Sequence, residues 1–209
     1  MGYDLLVVDL MDPYTTDQWR QIIEAWEMPA TELVLLRDFL RTFPDSGPAL
    51  MKYGMLLVDM SRLEEAETIH RKVLDISRGR MRVMSLINLG TLSVRKGELA
   101  AAGEWFRQAI DCDPNDTDGY VYLGGLLARI GRTAEAEAIH RRGTLCTHGC
   151  VDEAHLNLGL VLRAMERYPE ALECFDRALQ IDPHYAEARQ AHRDVKRALT
   201  ILAETAHAK

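Results

Sequence analysis

The chain has 209 residues, 47% of them hydrophobic and 27% charged, a mixture that folds and that excludes wholesale disorder. Its 14 glycines and 7 prolines are too few for collagen-like or proline-rich fibres. Acidic residues outnumber basic ones, 32 to 25, for a net charge of −7; a dedicated nucleic-acid binder, which draws most of its affinity from phosphate neutralisation, would be basic.

Residues 1–12 are apolar at Leu5, Leu6, Val7, Val8, Leu10 and Met11 and are interrupted by Asp4, Asp9 and Asp12. With no basic start before the apolar run, a secretory signal is not expected. Gly2 is followed four residues on by Leu6 instead of Ser or Thr, which argues against myristoylation. The longest purely apolar runs, Leu5 to Val8 and Met55 to Val58, fall far short of the roughly 20 residues of a membrane helix. Cys112, Cys146, Cys150 and Cys174 are too sparse for a disulfide framework, so the expectation is a cytoplasmic protein with reduced thiols. The first twelve residues are too apolar for a free tail and are read as an N-terminal cap, or as a segment lying on the rest of the chain or on a partner.

From residue 13 onward the chain repeats itself. Gly54, Gly90, Gly124 and Gly159 are spaced 36, 34 and 35 residues apart, the last three each preceded by leucine. Twelve residues after each glycine comes alanine (Ala66, Ala102, Ala136, Ala171), and four after that His70, Phe106, His140 and Phe175. Each unit reads as a helical hairpin. A glycine on the first helix lets a neighbouring helix approach, and Ala171, Phe175 and Ala178 mark one face of the second at the 3.6-residue period. Asp113-Pro114 and Asp182-Pro183 end their units, because proline cannot continue a helix. The turns within the hairpins are placed at Lys96-Gly97, Ile130-Gly131 and Arg167-Tyr168-Pro169. After residue 185, Ala188, Ala191, Val195, Leu199 and Leu202 form an apolar stripe with a polar back, as in a helix that seals the open end of an array.

This pattern resembles the tetratricopeptide repeat family. Residues 152–185 carry Leu158, Gly159, Tyr168, Ala171, Phe175, Ala178 and Pro183 in its signature slots, with His155 where an aromatic is usual. Residues 83–116 match at Leu89, Gly90, Ala102, Phe106, Ala109 and Pro114, and residues 117–151 at Tyr120, Leu123, Gly124 and Ala136, departing at His140 and Gly143. Residues 47–82 are a weaker copy. Residues 13–46 are a degenerate one, with Trp19 and Ile23 in buried slots and Glu32 in place of the small alanine. The resemblance implies an all-α, right-handed superhelical solenoid of antiparallel helix pairs over residues 13–185, closed by a capping helix and tail over 186–209.

The resemblance also implies a concave face lined by the first helix of each unit, with ligand contacts from slots two, five, nine, twelve and thirteen. Those slots hold Met51, Met55, Val58 and Asp59; Met84, Ile87, Thr91, Val94 and Arg95; Asp118, Val121, Gly125, Ala128 and Arg129; and Glu153, Leu156, Leu160 and Arg163. The lining is mostly apolar with arginines toward one edge, and its methionines suit an adaptable groove for an amphipathic helix or extended segment. The expected function is a non-catalytic interaction scaffold with another protein as partner, no nucleic acid, no membrane insertion and no cofactor. The chain's own N-terminal segment or a second copy of the chain, as a homodimer, is the alternative cover for this face. A client-specific chaperone resembling the small secretion chaperones of bacteria, and a regulatory subunit of an enzyme or a metal-binding protein, are the alternative functions. A clamp for a chaperone's C-terminal carboxylate needs Lys, Asn and Arg where this chain has Ile87, Thr91, Tyr122, Glu153 and Asn157, so that subclass is not expected.

Three smaller features complete the reading. Cys146, His148 and Cys150 share one loop and are zinc-ligand types, without a second ligand pair at structural-zinc spacing. His70 and His140 occupy the aromatic slot, with one ring nitrogen expected to reach a polar partner. Arg189, Arg193 and Arg197, with Lys196, form a basic stripe expected to be a solvated face.

Overall fold

The computed structural model describes residues 29–207. The expectations for residues 1–12, for Trp19 and for Ile23 lie outside them. Among the described residues there are ten helices and no named strand: α1 (Pro29–Thr42), α2 (Gly47–Asp59), α3 (Leu63–Ile76), α4 (Gly79–Lys96), α5 (Leu99–Cys112), α6 (Asp118–Arg129), α7 (Thr133–Gly143), α8 (Val151–Ala164), α9 (Tyr168–Ile181) and α10 (Ala186–His207). The protein is all-α, an array of antiparallel helix pairs with a C-terminal capping helix. Residues up to Met81 and those from Arg82 onward pack as two separate units.

The same seam holds each pair together. A Cβ built on Gly54 would lie 2.7 Å from His70 Cε1, one on Gly90 2.3 Å from Phe106 Cε1, one on Gly124 2.5 Å from His140 Cε1, and one on Gly159 2.5 Å from Phe175 Cε1. Each ring therefore rests on the bare backbone of its own pair's first helix, sixteen residues earlier in the chain. Phe106, Phe175, His70 and His140 are all fully buried, and burying such a ring contributes about 2–3 kcal/mol for phenylalanine. The alanines of the seam, Ala66, Ala102, Ala136 and Ala171, have no exposed surface. Gly143, a departure from the family pattern, has a local cause: a Cβ there would stand 3.0 Å from Tyr120 Cβ and 3.4 Å from Ala154 Cβ.

The turns inside the pairs are equally regular. Ser61, Gly97, Gly131 and Glu166 have φ of +60°, +81°, +79° and +60°. The residue after each donates its N–H back to Leu57, Ser93, Leu127 and Leu162 carbonyls at 2.8–2.9 Å, and the turn residue itself donates to Val58, Val94, Ala128 and Arg163 carbonyls at 3.0–3.1 Å. This is a Schellman closure of each first helix. The turn of the last pair is thus centred on Glu166, one residue before the expected Arg167-Tyr168-Pro169, and Tyr168 and Pro169 already belong to α9. Arg62, Arg132 and Arg167 follow the left-handed residue, and each reaches the Glu three residues on (Glu65, Glu135, Glu170) in a forked pair.

In the first unit Glu32 sits buried in the alanine slot, its carboxylate 3.4 Å from Lys52 Nζ. In the second unit α10 buries Ala188, Ala191 and Val195 against Leu156, Leu158, Leu162, Ala171, Phe175 and Ala178, with Leu199 at the edge. Leu202, the last residue of the expected stripe, is half exposed.

Candidate functional site

The first helices of the pairs, α2, α4, α6 and α8, carry the candidate binding residues, and the structure sorts these by depth. Met51, Ile87, Val121 and Leu156 are only 6–7% exposed. Met51 packs with Leu50 and Val73, and Leu156 belongs to the core under α10. Each of the four is part of its own unit's buried interior rather than a contact that stands free. Met55 and Met84 are 47% and 40% exposed, Val58, Thr91, Val94 and Leu160 are half-buried, and Arg95, Arg129 and Arg163 are exposed.

The charges at the two ends of these helices follow from the helix dipole. Arg95, Arg129 and Arg163 recur every 34 residues in the last turns of α4, α6 and α8. Asp118 stands in the first turn of α6, and Asp152 and Glu153 in that of α8. Burial, reinforced by Asp118 and Asp152, pushes the Glu153 carboxyl above the usual carboxylate range. Tyr122 lies between the ends, its ring centroid 5.6 Å from that of Phe106 and its hydroxyl pushed up by burial and by Glu153 and Asp118. Within residues 82–207, α4, α6 and α8 therefore end in basic groups, α6 and α8 begin with acidic ones, and apolar side chains lie between.

In the cysteine-histidine loop the three side chains turn to different partners. The Cys146 thiol faces the carbonyls of Pro114 and Arg142, at 3.7 and 3.8 Å. The Cys150 thiol is pushed up to about 12 by partial burial and by the charges of Asp118 and Glu153. His148 turns to Asp113 instead, with Nε2 3.1 Å from Oδ2. Burial likewise raises Cys146 and takes Cys174 to about 11, so these thiols stay protonated at neutral pH and are weak nucleophiles.

His70 and His140 hold the aromatic slot as expected, but the expected polar partner is missing at His70: among the described residues neither of its ring nitrogens has a hydrogen bond, nor does Nδ1 of His140. Burial lowers both imidazoles to about 4 and keeps them neutral. The Arg189, Arg193 and Arg197 stripe is exposed; Arg189 donates to the His184 carbonyl and Arg193 to Gln190. No helix among the described residues is long and apolar enough to cross a membrane.

Comparison with known proteins agrees with this geometry. Tetratricopeptide repeat profiles match residues 76–117, 105–138 and 152–185. Among curated proteins, the chain is 28% identical over 102 residues to the Protein CTR9 homolog of Arabidopsis thaliana; the match takes in 49% of this chain and 9% of the relative, so the chain spans about a tenth of that relative's length. Among solved structures it is similar to TTC0263, a thermophilic TPR protein of Thermus thermophilus, with 19% identity and a TM-score of 0.65 over 86% of this chain and 97% of the other. It is also similar to YrrB, described as a TPR protein with an unusual peptide-binding site, with 22% identity and a TM-score of 0.54 over 84% and 89% of the two chains. Glycine-on-ring seams, Schellman turns and three matched segments agree: the chain belongs to the tetratricopeptide repeat family.

Proposed function

We propose that this protein is a non-catalytic scaffold that binds a peptide or amphipathic helix of a partner protein across the first helices of its repeats. The observation that carries this reading lies within residues 82–207: Met84 is 40% exposed and Thr91, Val94 and Leu160 are half-buried above buried Ile87, Val121 and Leu156, with Arg95, Arg129 and Arg163 exposed in the last turns of α4, α6 and α8. Large apolar side chains left in water on a regular face are typical of surfaces that another chain covers. Thioether side chains repack readily around different occupants. The arginine edge favours an occupant with carboxylates on one side of its apolar face, and the net charge of −7 favours a protein over a nucleic acid. A stacked array is already ordered, so little entropy is lost in holding the partner. The protonated state of Cys146, Cys150 and Cys174 supports the non-catalytic reading.

The test is affinity capture from native extract with wild type beside a Met84→Glu, Arg129→Glu, Arg163→Glu variant, analysed by mass spectrometry. All three positions are exposed, so the variant keeps its helices and its melting temperature. A partner held by wild type and lost by this variant supports the reading. Equal capture by both contradicts it and moves the contact to another face.

A further inference from the structure

The loop that joins α5 to α6 and the loop that joins α7 to α8 meet at one point, and the side chains gathered there have no part in the surface described above. Thr147 N–H donates to the Asn115 carbonyl (3.2 Å), while the Thr117 N–H and hydroxyl both donate to the His148 carbonyl, at 3.0 and 2.8 Å. This pairing brings Asp113, Asp116 and His148 together, so that one donor atom of each lies within 4.8 Å of the others. The histidine lies 32 to 35 residues from the two aspartates in sequence, on a different loop; Asp113 recurs as Asp182 at the end of the last unit, whereas the approach of His148 to it does not recur.

The donor set is mixed, one imidazole nitrogen and two carboxylates. His148 Nε2 stands 3.1 Å from Asp113 Oδ2, and its Nδ1 stands 3.3 Å from Thr147 Oγ1. In the tautomer that donates Nδ1–H to that hydroxyl, Nε2 carries the lone pair, the arrangement that outer partners impose on metal-bound imidazoles. Two donors about 2.1 Å from one ion lie about 3.0 Å apart at an octahedral angle and about 3.4 Å apart at a tetrahedral one. The separation of 3.1 Å falls between these. Asp116 is only 1% exposed, and Asp113 and His148 are more open, which leaves a side for water ligands. Asp113 Oδ1 accepts the Asn115 N–H at 3.1 Å and Asp116 Oδ1 accepts the Asp118 N–H at 3.0 Å, bonds that fix both carboxylates beside the imidazole.

We propose that Asp113, Asp116 and His148 form a binding site for a divalent transition-metal ion, zinc being the natural occupant for this nitrogen–oxygen set, and that the ion clamps the α5–α6 loop to the α7–α8 loop. The thiols of Cys146 and Cys150 are not ligands.

The experiment is calorimetric titration of the purified metal-free chain with zinc chloride, with thermal melts at each zinc level. Wild type is expected to bind one zinc and to melt at a higher temperature with zinc than with chelator. His148→Ala and Asp113→Asn are expected to weaken that binding at least tenfold and to abolish the shift. His148→Gln can still donate to Asp113 but ligates poorly; it should melt like metal-free wild type and show no zinc shift, which separates ligand loss from loop loosening. A Cys146→Ser, Cys150→Ser variant should titrate like wild type. The proposal is overturned if wild type takes up no zinc at micromolar concentration, if His148→Ala binds as wild type does, or if only the cysteine variant loses binding.

Discussion

Gly90 and Phe106 define the spacing of their helix pair: a single added carbon on Gly90 would stand 2.3 Å from the phenyl Cε1, inside any tolerable contact. The ring is 1% exposed and has nowhere to go. Gly90→Ala should therefore lower stability by about 2 kcal/mol, overpacking outweighing the roughly 1 kcal/mol that alanine adds to a helix. Gly125, one residue beyond the seam glycine of α6, has nothing within 4 Å of a built Cβ. Gly125→Ala should raise stability by up to about 1 kcal/mol. Urea unfolding of the two variants checks both signs.

His70 and His140 occupy the same seam with a titratable ring. Each has its pKa lowered by burial from 6.5 to about 4. The unfolded chain therefore takes up protons that the folded chain refuses. The stability each histidine contributes is fully present above pH 6.5 and is lost as the pH falls toward 4, by up to about 1.4 kcal/mol per pH unit for each ring. Replacing both by phenylalanine, as in the other two pairs, should flatten the dependence of melting temperature on pH in that window and raise it at neutral pH. A pH series of thermal melts on wild type and the His70→Phe, His140→Phe variant measures this.

Ser61 and Glu166 hold left-handed turns at φ +60° that glycine holds in the two intervening pairs. A side chain in this region costs about 1 kcal/mol. Ser61→Gly and Glu166→Gly should each be neutral to stabilising, by up to about 1 kcal/mol, while Gly97→Ala and Gly131→Ala should each destabilise by about the same amount. Denaturant midpoints of the four variants decide the matter.

Depth separates the candidate binding residues into two experimental classes. Ile87→Glu would place a carboxylate where the side chain is 6% exposed, and should unfold its repeat or cost several kcal/mol. Met84→Glu, at 40% exposure, should change stability by less than about 0.5 kcal/mol. Circular dichroism melts of the pair test whether surface and floor have been distinguished correctly.

The fold was legible because its signals recur. Glycine, alanine and ring at spacings of 12 and 4 mark the two helices and the face on which they meet. The Glu166 turn was not legible, since nothing in glutamate announces a positive φ and Pro169 three residues later drew the boundary forward. The candidate surface was half legible. Slot arithmetic named residues on α2, α4, α6 and α8, but it could not tell Met51, buried against Val73, from Met55, in water one turn later. The Asp113, Asp116 and His148 cluster was hidden by sequence separation, and the neighbouring Cys146 and Cys150 pointed to thiols instead.

The most direct test of the binding account is methionine oxidation footprinting with and without the captured partner. Met84 lies on α4, while Met165 caps α8 at its end, and the two are 40% and 37% exposed. With the partner bound, Met84 should oxidise several-fold more slowly while Met165 keeps its rate. An unchanged rate at Met84 on a saturated complex would contradict binding across the first helices.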